Sequence, residues 1–239
     1  MIDWHCHLLP GLDDGAADPD ESVAMARCLY AAGYREVYCT PHQLKGGYEA
    51  GNEEVLAALS GVQAALDREG VGIRLLAGRE YYLDEYLLDC LADPLPLGDS
   101  RCLLIELPHR VAHREMVKQT LFRVVSAGFT PVIAHPERSP SLEVSQSGHG
   151  RRTGILGRLF NAGRSDDGAT YIPSNLLAYL MELGCGFQGN VGSLRGYYGG
   201  TVRRQAEFMR AMRLYDRMGS DLHSSQHAGL ILGDSAQGR

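Results

Sequence analysis

Short apolar runs alternate with longer amphipathic ones through most of this chain. Residues 2–5, 36–40, 73–77, 102–107, 131–134 and, less strongly, 185–189 have the length and aliphatic content of strands. Between them, apolar residues recur at helical spacing over 20–32, 52–69, 85–91, 112–127, 174–183 and 202–214. The first helix opens on Asp18-Pro19, a capping carboxylate followed by a proline whose missing N–H is not needed there, and stops at Gly33. Gly70 and Gly128 predict the same stop for two more helices. Strand–helix alternation at these lengths predicts parallel β/α units and an α/β fold. With 239 residues and no internal repeat, one barrel-sized domain over 1–239 is expected.

One stretch breaks the rhythm. Residues 139–170 are rich in Ser, Gly and Arg and poor in apolar anchors, apart from a possible helical turn or two at 155–160. The segment reads as a flexible insertion over one end of the barrel, not as a domain boundary.

Composition narrows the function classes. The formal charge is −6, with both signs interspersed, so there is no basic stripe for a nucleic-acid backbone. No run approaches the roughly 18 apolar residues of a membrane span. Asp3 and His5 interrupt any signal-peptide core. The six cysteines form no CxxC pair and no regular framework, which predicts reduced thiols and a cytoplasmic location.

The chemistry lies at the strand ends. His5 and His7 flank Cys6 at the end of the first strand, where residues two apart share a face and two imidazoles can meet one metal. Asp13 and Asp14 follow in a Pro-Gly…Asp-Asp-Gly loop expected to curl back over the same mouth. The pattern then repeats. His42 ends the second strand, Glu80 the third and Glu106 the fourth. His135, with Glu137 and Arg138 just beyond, ends the fifth, and Asp221 and His223 fall in the last β/α unit. Strand ends converge at one mouth in parallel barrels, so five histidines and four carboxylates form one constellation. His109, His113, His149 and His227 lie in loops or at helix starts and read as solvated.

Nine ligand groups exceed what one ion needs and suit two or three divalent ones. Three such ions against Asp14, Glu80, Glu106 and Asp221 would leave about two positive charges, a complement for a phosphate dianion. Imidazole with carboxylate suits Mn, Fe or Zn, and the lack of a cysteine ligand disfavours a structural zinc site. No Cys is followed six positions later by Arg, so a cysteine-dependent phosphatase loop is absent.

The segment MIDWHCHLLPGLDDGA (1–16) resembles the opening of the polymerase-and-histidinol-phosphatase (PHP) superfamily. More narrowly, it resembles the manganese-dependent bacterial protein-tyrosine phosphatases encoded with capsule and exopolysaccharide genes. The likeness continues in order through TPHQLKGGY (40–48), GREYYLDE (78–85), LLIELP (103–108), PVIAHPER (131–138), FQGNVGSLRGYYG (187–199) and GSDLH (219–223). It implies a distorted, TIM-like (β/α)7 PHP barrel with a three-metal site. By position, His5, His7, Glu80 and Asp221 would hold the first metal. Glu80 would bridge to a second, completed by Glu106 and His135, and Asp14, His42 and His223 would hold the third. The resemblance further implies that activated water attacks phosphorus without a phosphoenzyme. The expected substrate is a phosphotyrosine-bearing protein tail, of the bacterial tyrosine-kinase kind. Arg138 is the expected phosphate clamp, since a guanidinium can bind two phosphoryl oxygens at once.

Three other readings share parts of this pattern: a histidinol-phosphate-type phosphatase, a PHP nuclease, and a barrel that binds metal or partner without turnover. The Asp13-Asp14 loop and QGNVGSLRGYYG favour the tyrosine-phosphatase branch, and the acidic balance disfavours the nuclease. The chain also departs from the family pattern. Ser139 opens the insertion where an aromatic is usual, Asp216 and Arg217 interrupt the last strand, and only a Gly/Ser/Gln-rich tail is expected after His223.

Overall fold

A computed structural model describes residues 1–108, 113–147 and 170–233. The expected strands are present: β1 (Ile2–Cys6), β2 (Glu36–Cys39), β4 (Arg74–Ala77), β6 (Cys102–Glu106), β7 (Thr130–Ala134) and β10 (Gly186–Asn190). Two short strands, β3 (His42–Gln43) and β5 (Glu80–Tyr82), continue β2 and β4 past the bends at Thr40-Pro41 and Gly78-Arg79. All pairings among these strands are parallel. One sheet runs β1-β2-β4. The other runs β11-β10-β7-β6-β5-β3, where β11 is Arg217–Gly219. With each bent pair taken as one stave, seven staves form the wall.

The seam lies between β1 and β11. Asp221 N donates to His5 O at 2.8 Å, His7 N donates to Leu222 O at 3.1 Å, and Cys6 bridges Leu222 in parallel. The expected α/β barrel of parallel strands is therefore the fold observed.

Local signals place the helices α1 (Pro19–Ala31), α2 (Asn52–Arg68), α3 (Arg114–Ser126), α4 (Asn175–Glu182), α5 (Val191–Arg195), α6 (Gly200–Ala211) and α7 (Ala228–Leu232). The Asp18 side chain accepts from Glu21 N, Pro19 opens α1, and Gly33 stops it at φ +95°. Ser174 caps α4 and Asn190 caps α5. Alternation along the strands divides the core. Val37 and Cys39 pack under α1 and α2, and Leu103, Ile105 and Ile133 under α3 and α4. The intervening Tyr38, Leu104, Val132 and Ala134 gather inside the ring with Leu97.

Four expectations need correction. Residues 85–91 form turns and a 3-10 segment, Asp89–Ala92, in place of the expected helix; the Asp84 carboxylate accepts from Tyr86 N at the start of the stretch, but none of its residues is assigned to an α-helix. The 139–170 stretch is not loop throughout. Pro140–Leu142 makes a 3-10 turn with Leu142 buried, and β8 (Val144–Ser147) pairs antiparallel with β9 (Thr170–Pro173). Residues 148–169, on which the expected flexible insertion and the turns expected at 155–160 fall, lie outside the described residues. The charges before Asp221 fit the end of a barrel strand: Asp216 accepts from Phe187 N, and the Arg217 guanidinium lies 5.0 Å from the Trp4 ring centre. Finally, the chain past His223 is not simply a tail. Ser225–His227 turns into α7, which buries Ala228, Ile231 and Leu232 against α1 and α5.

Candidate metal centre

β1 brings His5 and His7 to one buried point, with their Nε2 atoms 3.0 Å apart. The rings are held there from behind. His5 Nδ1 meets Gln188 Oε1 at 2.8 Å and His7 Nδ1 meets Asp13 Oδ2 at 2.7 Å. His223 Nδ1 meets the Asp221 carbonyl at 3.0 Å. An oxygen acceptor at Nδ1 fixes the proton on that nitrogen and turns the Nε2 lone pair toward the centre.

Glu80 occupies the middle. Its Oε2 lies 3.0 Å from His5 Nε2, 3.2 Å from His7 Nε2 and 3.2 Å from His42 Nδ1. Its Oε1 lies 3.1 Å from His135 Nε2, which is 3.7 Å from Glu106 Oε1. Asp221 Oδ1 is 3.4 Å from both His5 and His7. Asp14, half-exposed, stands at the mouth 3.6 Å from His42 Nε2 and 3.5 Å from His223 Nε2. Every sequence-predicted ligand thus reaches one cluster. Ligand atoms of His5, His7, Glu80 and Asp221 lie within 4.8 Å of one another, as do those of His7, Asp14, His42 and His223, and those of His42, Glu80 and Glu106.

The donor chemistry fits divalent cations. Imidazole lone pairs and carboxylate oxygens face each other at buried positions, where only protons or metal ions can separate them. The protonation pattern reflects that crowding. Burial opposes charge on His5, but the Glu80 and Asp221 carboxylates outweigh it and lift the imidazole to about 9. His7 is lifted too, by Asp13, against the same desolvation. Burial and the neighbouring Glu80 push the Glu106 carboxyl up to about 8. Burial and the nearby Arg138 guanidinium push His135 down to about 4.

Backbone geometry supports the placement. Among the described non-glycine residues only His135, Arg213 and Asp221 adopt positive φ, and two of these are in the cluster, at +29° and +53°. Gly219 leaves room for β1: a Cβ there would stand 2.5 Å from His5 Cβ.

Arg138 lies beside the cluster rather than free above it. Its Nη1 donates to Asp221 Oδ2 at 2.7 Å, and its guanidinium lies 4.5 Å from the Tyr198 ring centre. Asn190 Nδ2 donates to the same carboxylate oxygen at 2.8 Å, and the Tyr198 hydroxyl lies 3.3 Å from it. Glu137, expected near the mouth, is buried and accepts from Asn190 N and the Tyr215 hydroxyl. His113 and His227 are exposed, as expected, while His109 and His149 lie outside the described residues.

Sequence reasoning did not assign the supporting groups: Asp13, Gln188, Asn190 and Tyr198. Gln188 and Asn190 carried a usable signal, since polar residues two apart on an otherwise buried strand share an inward face. Asp13 and Asp14 are neighbours of the same type, and spacing alone does not say which one faces an imidazole from behind.

The thiols take no part in the cluster. All six cysteines are free, Cys6 and Cys39 belong to the core under α1 and α2, and burial pushes the Cys185 thiol up to about 12. Among the described residues no helix is long and apolar enough to cross a membrane.

Comparison with known proteins agrees with this geometry. Over 226 residues the chain is 30% identical to tyrosine-protein phosphatase YwqE of Bacillus subtilis (strain 168), covering 94% of this chain and 78% of the relative. Over 148 residues it is 33% identical to tyrosine-protein phosphatase CpsB of Streptococcus pneumoniae, 60% of this chain and 59% of that one. It superposes with a TM-score of 0.73 and 28% identity on a crystal structure from work on B. subtilis YwqE and S. pneumoniae CpsB, described as unique metal-dependent tyrosine phosphatases. The superposition covers 99% of this chain and 90% of that chain. Residues 1–149 match the family model for capsular polysaccharide synthesis, CpsB/CapC. With the barrel and the whole ligand cluster in place, the chain belongs to the CpsB/CapC family of capsular polysaccharide synthesis.

Proposed function

We propose that this chain is a metal-dependent protein-tyrosine phosphatase, a phosphoric monoester hydrolase acting on phosphotyrosine in a protein tail. The observation that carries the reading is the convergence of nine ligand-type side chains in one cluster that runs from the buried Glu80 to the mouth, with Nδ1 of His5, His7 and His223 held by oxygen acceptors. His5, His7, Glu80 and Asp221 would hold one ion. Glu80, Glu106 and His135 would hold a second, and Asp14, His42 and His223 a third. Manganese is the proposed metal, with iron or zinc compatible with the same donors.

Bound divalent ions supply Lewis acidity, lowering the pKa of water toward neutrality and neutralising phosphoryl charge. The chain's own groups do the rest. Asp14, His42 and His223 line the opening, so the phosphoryl group enters between them. Arg138, held by Asp221 and Tyr198, would offer its remaining N–H groups to phosphoryl oxygens. The leaving group is a phenolate of reference pKa about 10, which needs less proton donation than an alkoxide. Burial raises the Cys6, Cys39 and Cys185 thiols, so none of these three is poised as a nucleophile.

The tail of a bacterial tyrosine kinase is the proposed partner, in the control of capsule or exopolysaccharide synthesis. The test is turnover of a phosphotyrosine peptide against histidinol phosphate by the manganese-loaded protein, with metal content measured. Glu80→Ala should lose metal and at least a hundredfold in rate, whereas His113→Ala should lose neither. Preference for histidinol phosphate would assign the small-molecule branch instead. Near-wild-type metal and rate in Glu80→Ala would refute the ligand set.

A further inference from the structure

The loop after β3, residues 43–50, is tied down more firmly than a surface connection requires. Leu44 and Tyr48 exchange two backbone hydrogen bonds, each 2.9 Å, and Gly46 N donates to Glu49 Oε1 at 2.6 Å. Both ends of the loop are held by one side chain. Arg79 is 1% exposed and donates from Nη1 to the Gln43 side-chain oxygen and from Nη2 to the Ala50 carbonyl. A fully buried guanidinium spent on a loop implies that the loop's position matters.

What this scaffold presents is Tyr48. Its ring stacks on His42, with centroids 5.6 Å apart and planes at 14°. His42 in turn faces His7 at 4.6 Å and stands beside Asp14 at the opening. Tyr48 is only partly buried, and its hydroxyl makes no hydrogen bond to the described residues. Neither core packing nor a structural hydrogen bond therefore explains an aromatic there. Its position at the edge of the mouth does.

We propose that Tyr48 is a specificity-determining residue that recognises the aromatic ring of the substrate. This rests on the phosphatase reading above. With a phosphoryl group among Asp14, His42 and His223, the ester oxygen points out of the mouth, and a phenyl ring on it reaches the rim beside His42. There the Tyr48 ring supplies an edge-to-face or offset partner within the 4.5–7 Å range of such pairs. A serine or threonine phosphate places only an sp³ carbon at the same point and gains nothing from Tyr48. The loop thus selects aryl over alkyl phosphates by binding, separately from the metal chemistry beneath it.

The test separates ring recognition from turnover. Phenylphosphonate and methylphosphonate, neither of which can be hydrolysed as an ester, are titrated calorimetrically into the manganese-loaded protein and its Tyr48→Ala and Tyr48→Phe variants. Tyr48→Ala should bind phenylphosphonate roughly three- to tenfold more weakly with methylphosphonate unchanged, and Tyr48→Phe should keep the wild-type preference. In turnover, Tyr48→Ala should raise KM for phosphotyrosine more than for phosphoserine, so that the preference for the aryl ester falls, while Tyr48→Phe should keep it. Equal weakening for both phosphonates, or none for phenylphosphonate, overturns the assignment. Failure of the loaded wild type to hydrolyse any phosphate ester would overturn the phosphatase reading, an outcome distinct from the phosphonate isotherms.

Discussion

Asp13 holds two ligand-bearing segments at once. Its Oδ2 accepts from His7 Nδ1 at 2.7 Å and from His42 N at 2.9 Å, while Oδ1 accepts from Gly15 N at 2.9 Å. Burial opposes the charge, yet His7 holds the Asp13 carboxyl well below the usual carboxylate range. Asp13→Asn preserves the shape and removes the charge. With the amide oxygen toward His7 and His42, the amide NH2 faces Gly15 N–H, donor against donor. One hydrogen bond is lost, about 1 kcal/mol or more, and the charge-assisted bond to His7 falls to a neutral one, about 1 kcal/mol again. A loss of about 2 kcal/mol lowers Tm by roughly 4–8 °C for a domain of this size. The weaker hold on His7 should reduce metal affinity by about 10–100-fold, as expected for groups that orient metal-ligating histidines. Competition titration with a colorimetric chelator measures the affinity, and a melt followed by circular dichroism measures Tm. The paired control is Asp14→Asn, which alters a half-exposed ligand and should weaken metal binding with little change in the apo Tm. Wild-type affinity and Tm in Asp13→Asn would refute the argument.

Chelation should abolish hydrolysis, and restoring metal at about a hundred times Kd should raise stability by about 2.7 kcal/mol, read as a rise in Tm. Alkylation of the accessible thiols should leave the rate intact, checked by mass spectrometry alongside the assay. Gly219→Ala should cost about 1–3 kcal/mol and also weaken metal binding, because the new methyl group meets His5 Cβ and the backbone N of His5. Leu232→Ala should destabilise the fold by about 2–5 kcal/mol in denaturant titration while sparing the KM of the folded fraction, since Leu232 packs α7 into the core with α1 and is not in the ligand cluster.

Most of the wall, and the meeting of the nine candidate side chains, were legible in the sequence, for one main reason. All but Asp14 lie at or just past the end of a strand run, and a parallel barrel gathers the ends of such runs. What stayed hidden was either too short or too conditional. β3 and β5 span two and three residues, below any periodic signal, and they exist because the chain bends at Pro41 and Gly78 and re-pairs beyond. The helix expected at 85–91 had suitable composition, but the segment is short and tightens into turns and the 3-10 stretch Asp89–Ala92. The β8–β9 hairpin was masked by the Ser- and Gly-rich stretch between its strands, and α7 by the polar residues that surround Ala228–Leu232. Within the site, the sequence indicated which atoms could ligate but not which oxygens would hold the imidazoles. Asp13 behind His7 and Gln188 behind His5 depend on contacts made only after folding.

The seam between β1 and β11 also has a kinetic meaning. Cys6 and Leu222, bridged there, lie 216 residues apart, and the histidines on either side of Cys6 form a complete cation cradle only with Asp221. A ribosome making this chain releases His5 and His7 well before Asp221, with six of the seven staves synthesised before β11. Such distant pairings slow folding, because the loop entropy of closure must be overcome before the contact stabilises anything. With the proposed ligand set, tight ion capture would wait until the final stave docks, and a bound ion would then span the join. A partly opened barrel would lack part of that set, so metal loading would report ring closure itself.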